Sequence, residues 1–216
     1  MTPELRKSNS DQRLRQLAIA VNEHLPLIES EDETDLRSKD ELLKRLIALW
    51  AVVGASMLRG QDFFRSYIKS QNVESWLSQE EQEFLFSESP SEQQYTRFSW
   101  RLEALFFLAW CGGLIERIDI PPTESSVDSI LHLFPHKENE TPMQLEAAIR
   151  LRSKEEILDW ADLLYRLHWA VRDARLTGKP SPPNVLAGSV QEWHQAVNWM
   201  TNYEQEDDWD NVATDT

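Results

Sequence analysis

SKEEILDWADLLYRLHWAVRDARLTG, residues 153–178, is the stretch that decides the fold. Ser153 with Glu156 three positions later is a capping box, in which hydroxyl and carboxylate each accept from an otherwise unpaired N–H of a helix start. At a step of roughly 100° per residue, Trp160, Leu163, Leu164, Leu167, Ala170, Val171 and Ala174 share one face. Nothing interrupts the pattern before Gly178 and Pro180, so the segment reads as one long helix with a core side. The opposite half carries Glu155, Asp159, Asp162, Arg166 and Asp173, with Tyr165, His168, Arg172 and Arg175 beside them and Trp169 between the two stripes. Tyr, His and Trp combine an apolar body with a polar tip, so a face that mixes them with charges suits a second contact layer or a pocket.

Working outward, the same capping device recurs. Ser38 with Glu41 opens a helix whose buried face is Leu42, Leu43, Leu46, Ile47, Trp50 and Val53, with Gly60 as its stop. Further helices are expected over 11–21, where Leu14, Leu17, Ala18 and Val21 repeat at helical spacing, and over 62–69, 78–86, 91–111, 127–134, 141–151 and 189–203. The run from Leu102 to Trp110 is apolar nearly all round and marks a central helix broken by Gly112 and Gly113. No strand alternation is present. The expected fold is all-α: a single helical bundle-like domain of about eight helices, in which residues 1–37 supply an N-terminal helix and acidic linker attached to a main domain over 38–216.

The net charge of −15 is unevenly placed. Residues 23–35, 74–92 and 204–216 each hold six acids and no Lys or Arg; removing these 18 from 37 leaves 19 acids against 22 bases. Acidity confined to three blocks repels nucleic-acid backbone and anionic membrane and draws in a basic partner. Such blocks also keep a chain with nine tryptophans in solution. Within the last block Trp209 and Val212 have no use in a solvated tail, so this segment is expected to dock on the body. Cys111 is the only cysteine, which leaves no disulfide and fits a reducing, cytoplasmic setting. No apolar run reaches the roughly 20 residues of a membrane span.

The order of several short motifs is more specific than any one of them. Arg101-Leu102-Glu103-Ala104-Leu105, Ala109-Trp110-Cys111-Gly112, Glu156-Ile157-Leu158-Asp159 through Asp162-Leu163-Leu164-Tyr165-Arg166-Leu167-His168-Trp169-Ala170, Asp173-Ala174-Arg175, Ala196-Val197-Asn198-Trp199-Met200 and Asp208-Trp209-Asp210-Asn211-Val212-Ala213-Thr214-Asp215-Thr216 follow one another. In this the chain resembles, over roughly residues 40 to 216, the largely bacterial family of domain of unknown function 4272. The resemblance implies a mostly helical fold and carries no activity with it. Where that family tends to have an Arg before the His of its last helix, this chain has Trp193 before His194.

The candidate ligand or partner face comprises Arg101, Glu103, Asp162, Tyr165, Arg166, His168, Trp169, Arg172, Asp173, His194, Asn198 and Trp209. Glu103, set in an apolar stretch, needs a cationic partner, with Arg166 and His168 the nearest by motif. Asp162 and Arg166 are spaced as an i, i+4 ion pair. His194 and Asn198, one turn apart, suit an anion, a substrate carbonyl or the cap of a neighbouring helix. No phosphate-binding loop, nucleophile elbow or metal-ligand spacing is present, so no cofactor and no metal is expected. Two functions follow as expectations: an acidic helical interaction module for a basic protein, of the immunity or antitoxin kind, or a small-ligand binder or hydrolase-like enzyme using the Tyr165, Arg166, His168, Arg172 and Asp173 face with Glu103 and His194.

Overall fold

Serine capping boxes set where four of the helices begin. Ser38, Ser78, Ser91 and Ser153 each accept from the N3 backbone N–H, while Glu41, Glu81, Gln94 and Glu156 reach back to the cap. The computed structural model describes residues 1–216 and holds eight α-helices and no strand. They are α1 (Pro3–Gln16), α2 (Lys39–Leu58), α3 (Asp62–Gln71), α4 (Gln79–Phe86), α5 (Glu92–Cys111), α6 (Met143–Ala148), α7 (Lys154–Thr177) and α8 (Ala187–Met200).

Apolar on most of its circumference, α5 sits in the middle. It packs on α2 on one side and α8 on the other; α7 packs on α8, and α1 on α7, while α3 and α4 cover α2. Phe107 and Trp110 of α5 meet Trp160 of α7 and Trp193 of α8 with ring centroids 5.4–6.3 Å apart, which closes the core where three helices converge. After α5 the chain turns at Gly113, whose φ of +71° and contact with the Arg150 carbonyl leave no room for a side chain.

Several boundaries differ from the sequence expectation. The first helix lies over Pro3–Gln16 instead of 11–21, because the Thr2 hydroxyl accepts from the Leu5 N–H and Pro3 opens the first turn; Ala18 is left-handed and outside it. The α2 stop is Arg59, left-handed one residue before Gly60. Residues 127–134 form only a short 3-10 turn, Leu131–Leu133. The Thr141 hydroxyl caps nothing, and α6 ends at Ala148. The last helix stops at Met200, where Asn202, Glu204 and Gln205 adopt φ between +52° and +57°.

Beyond that turn the chain runs back over the body. Trp209 is buried with the guanidinium carbons of Arg45 and Arg101 4.8 and 5.6 Å from its ring centroid. Gln195 donates to the Trp209 carbonyl at 2.9 Å, and Asn198 to the Ala213 carbonyl at 2.8 Å.

Candidate functional site

An open cleft of about 1020 Å³ lies over the junction of α7 and α8. Leu158, Ala161, Tyr165 and Arg172 of α7 and His194 and Asn198 of α8 face it. One wall is the segment Pro26 to Asp35, the other residues 201–207, with Asp215 and Thr216 completing the rim.

Cations fasten both walls by their backbones. Lys154 donates to the carbonyls of Glu31 and Thr34 at 2.8 and 2.5 Å, and Arg166 to that of Pro26 at 3.1 Å. On the other side Arg37 donates to the carbonyls of Trp199 and Glu206 at 3.3 and 2.7 Å and pairs with Glu41 and Asp207. Main-chain oxygens take much of this charge. Six exposed carboxylates surround the cleft: Glu29, Glu33, Asp35, Glu204, Asp207 and Asp215. Only Asp207 among them has a cationic partner within ion-pair distance. Glu33 accepts from the Ser30 hydroxyl and N–H, which holds its carboxyl below the usual range. Arg172 is the sole cationic side chain of the cleft and donates to the Thr216 hydroxyl at 3.1 Å.

Beneath the cleft His194 and His168 meet Nδ1 to Nδ1 at 2.9 Å, both buried. Burial, the Arg172 charge and, for His194, the neighbouring ring disfavour a proton, bringing His168 down to about 4 and His194 to about 3. The pair is therefore neutral at physiological pH. Burial and then nearby carboxylates push the Tyr203 phenol up, and burial raises that of Tyr165. The left-handed Asn202, Glu204 and Gln205 all line the wall, three of the chain's seven non-glycine residues with positive φ.

Of the twelve residues singled out from sequence, Tyr165, Arg172, His194 and Asn198 line the cleft. The others serve elsewhere. Asp162 and Arg166 form a bidentate buried pair at 2.9 and 2.7 Å beneath α1, with Asp11 3.8 Å from the guanidinium. Glu103 has no cationic partner, contrary to expectation; it accepts from the Ser125 N–H and hydroxyl at 2.7 Å and from the Trp193 indole at 3.0 Å. Trp193 thus supplies a neutral donor to that carboxylate. Arg101 binds Glu192 at 2.9 Å and Gln195 at 2.5 Å, Trp169 packs on the core edge, and Asp173 pairs with Lys179 at 3.3 Å. Trp209 lines a separate groove of about 410 Å³ with Trp76 and Trp199.

Sequence reasoning missed the cleft walls, residues 26–35 and 201–207, although the acidic blocks 23–35 and 204–216 overlap both. Their meeting is a property of the fold: Arg37, whose four acceptors lie in three segments, fastens one of them, and no residue pattern in either segment announces it. No cluster of three or more His, Cys, Asp or Glu side chains is arranged to hold a metal ion, and no helix is long and apolar enough to cross a membrane.

No curated protein and no solved structure matches the chain. A profile for one family, described as a domain of unknown function (DUF4272), matches residues 6–212 and so takes in most of α1 and both walls of the cleft as well as the central helices. The chain belongs to that family.

Proposed function

We propose that the protein is a binding module whose cleft takes a basic segment of a partner protein. The observation that carries this reading is the ring of six carboxylates, with a single guanidinium among them, around a cleft of about 1020 Å³. Charge of one sign concentrated at a concave, partly desolvated surface focuses the field there and speeds capture of an oppositely charged ligand. Exposed surface pairs are individually weak, so affinity comes from several carboxylates acting together on an extended segment and falls with salt.

The test is calorimetric titration of the full chain with a lysine- and arginine-rich peptide at low and at physiological ionic strength. Binding is expected at low salt, weakening steeply as salt rises. A Glu29→Gln, Asp35→Asn, Glu204→Gln variant should weaken it at least about tenfold, because three of the six charges are gone while exposed positions leave the fold intact. Binding that ignores both salt and these substitutions would overturn the reading.

The catalytic alternative loses part of its residue set. Glu103, Arg166 and Asp173 do not line the cleft, and only Tyr165, Arg172 and His194 of that set reach it.

A further inference from the structure

Two polar side chains of α8 reach the cleft with a hydrogen-bonding atom to spare. His194 and Asn198, one turn apart, are 2% and 8% exposed, and both line the cavity. His194 engages His168 through Nδ1 at 2.9 Å and has no protein partner at Nε2. Asn198 directs its amide nitrogen to the Ala213 carbonyl at 2.8 Å; a carbonyl only accepts, so the amide is fixed that way round and Oδ1 remains an acceptor.

A contact between Nδ1 atoms of two neutral rings requires one proton between them. With that proton on His168, His194 would show an N–H to the cleft; with it on His194, Nε2 shows a lone pair. The surroundings select the second arrangement once a ligand arrives. The six rim carboxylates outnumber the one guanidinium that faces the histidines, Arg172, and so repel an anionic ligand, and Oδ1 of Asn198 next along the helix also calls for a donor.

We infer that His194 Nε2 and Asn198 Oδ1 form a paired acceptor for one guanidinium group, the tip of an arginine side chain on the basic partner segment. This rests on the acidic-cleft reading above. A guanidinium presents five N–H donors in a planar fork, so it can reach two acceptors whose Cβ atoms lie about 5–6 Å apart and still meet a carboxylate. It is more weakly hydrated than an ammonium and enters a site walled by buried side chains at lower cost. Its flat faces also suit phenol rings: Tyr165 stands with its centroid 6.2 Å from that of His194, and Tyr203 lines the same cavity. An ammonium, a compact point charge, is satisfied by the rim carboxylates alone.

The test titrates the full chain at low salt with capped peptides Lys-Gly-Xaa-Gly-Lys, in which Xaa is arginine, lysine or citrulline, and with free agmatine. The arginine peptide is expected to bind at least about tenfold more tightly than the other two peptides. Asn198→Leu and His194→Phe, checked for folding by circular dichroism, should each remove that preference, so that within each variant the arginine and lysine peptides bind equally. Equal, salt-sensitive binding of all three peptides would overturn the paired acceptor and leave the acidic-cleft reading standing. No binding of any peptide would overturn both. Agmatine binding as tightly as the arginine peptide would keep the guanidinium site while overturning a protein segment as its source. Should either variant fail to fold, imidazole ¹⁵N spectra of the wild-type chain decide: a His194 Nε2 that is unprotonated and shifts on addition of the arginine peptide supports the inference, and a protonated or unresponsive Nε2 in the complex overturns it.

Discussion

Asp162 and Arg166 illustrate how a charge can be spent on architecture. Both are buried, joined by two hydrogen bonds, and covered by a helix that brings a second carboxylate, Asp11, to the same guanidinium. Removing one partner leaves the other charged and desolvated, so Asp162→Ala is expected to lower stability by about 3–5 kcal/mol in urea denaturation. The spacing of this pair was readable from sequence; its burial was not, since the same i, i+4 spacing also occurs on open surfaces. The histidine pair behaves differently with pH. In the unfolded chain each ring takes a proton near 6.5, whereas the folded protein resists until about 4 for His168 and about 3 for His194. Between these limits the unfolded state holds more protons, so the stabilisation is complete above about pH 6.5 and is lost as pH falls toward 4. Each proton contributes a slope of about 1.4 kcal/mol per pH unit. Stability measured from pH 7 to 4.5 should fall less steeply in a His168→Gln, His194→Gln variant than in the parent.

At the level of the helix, local chemistry was the better guide. The serine boxes at Ser38 and Ser153 place the starts of α2 and α7 where the hydroxyl and carboxylate pattern puts them, because capping depends on residues within one turn. Ser153→Ala is expected to cost about 1 kcal/mol, read as a lowered thermal midpoint. Apolar periodicity misled at α1. Leu17, Ala18 and Val21 suggest a helical face, yet the helix is an earlier, highly charged segment in which Leu14 is the one buried apolar residue. It is held to α7 and its surroundings by charge: Arg6 to Asp159 at 2.9 Å, Asp11 near Arg166, and Arg13 over the Trp160 ring at 5.0 Å. A pattern search keyed to apolar residues does not detect a helix that docks through ion pairs. Close packing between helices was equally silent in the sequence. Gly54 of α2 faces Phe64 so tightly that a Cβ would fall 2.2 Å from the ring. Gly54→Ala should therefore destabilise by about 1–3 kcal/mol despite the better helix propensity of alanine.

Across the whole molecule, the all-helical architecture was legible and the cleft was not. Core faces repeat at short intervals, so the all-helical class, most of the helices and a central α5 could be read from the chain, while 127–134 is only a 3-10 turn and α1 lies earlier than its periodicity suggests. The cleft arises from residues 26–35 and 201–216, which have no periodicity and lie more than 160 positions apart. Of the three acidic blocks, those at 23–35 and 204–216 meet around one cavity, whereas the block at 74–92 is partly neutralised by Arg45, Arg59 and Arg97. The walls carry no α-helix between Pro26 and Asp35 or from Thr201 to Asp207 and are tied down by a few cations acting on carbonyls. Their arrangement joins recognition to the integrity of the chain. A ligand that touches both walls acts as a temporary cross-link between segments remote in sequence, and any local opening of either one releases it. At a ligand concentration of about 100 times Kd, such openings become rarer by a free energy of about 2.7 kcal/mol. Hydrogen exchange should accordingly slow at residues 26–36 and 201–216 together when the cleft is filled, and stay unchanged in α3 and α4 on the far side.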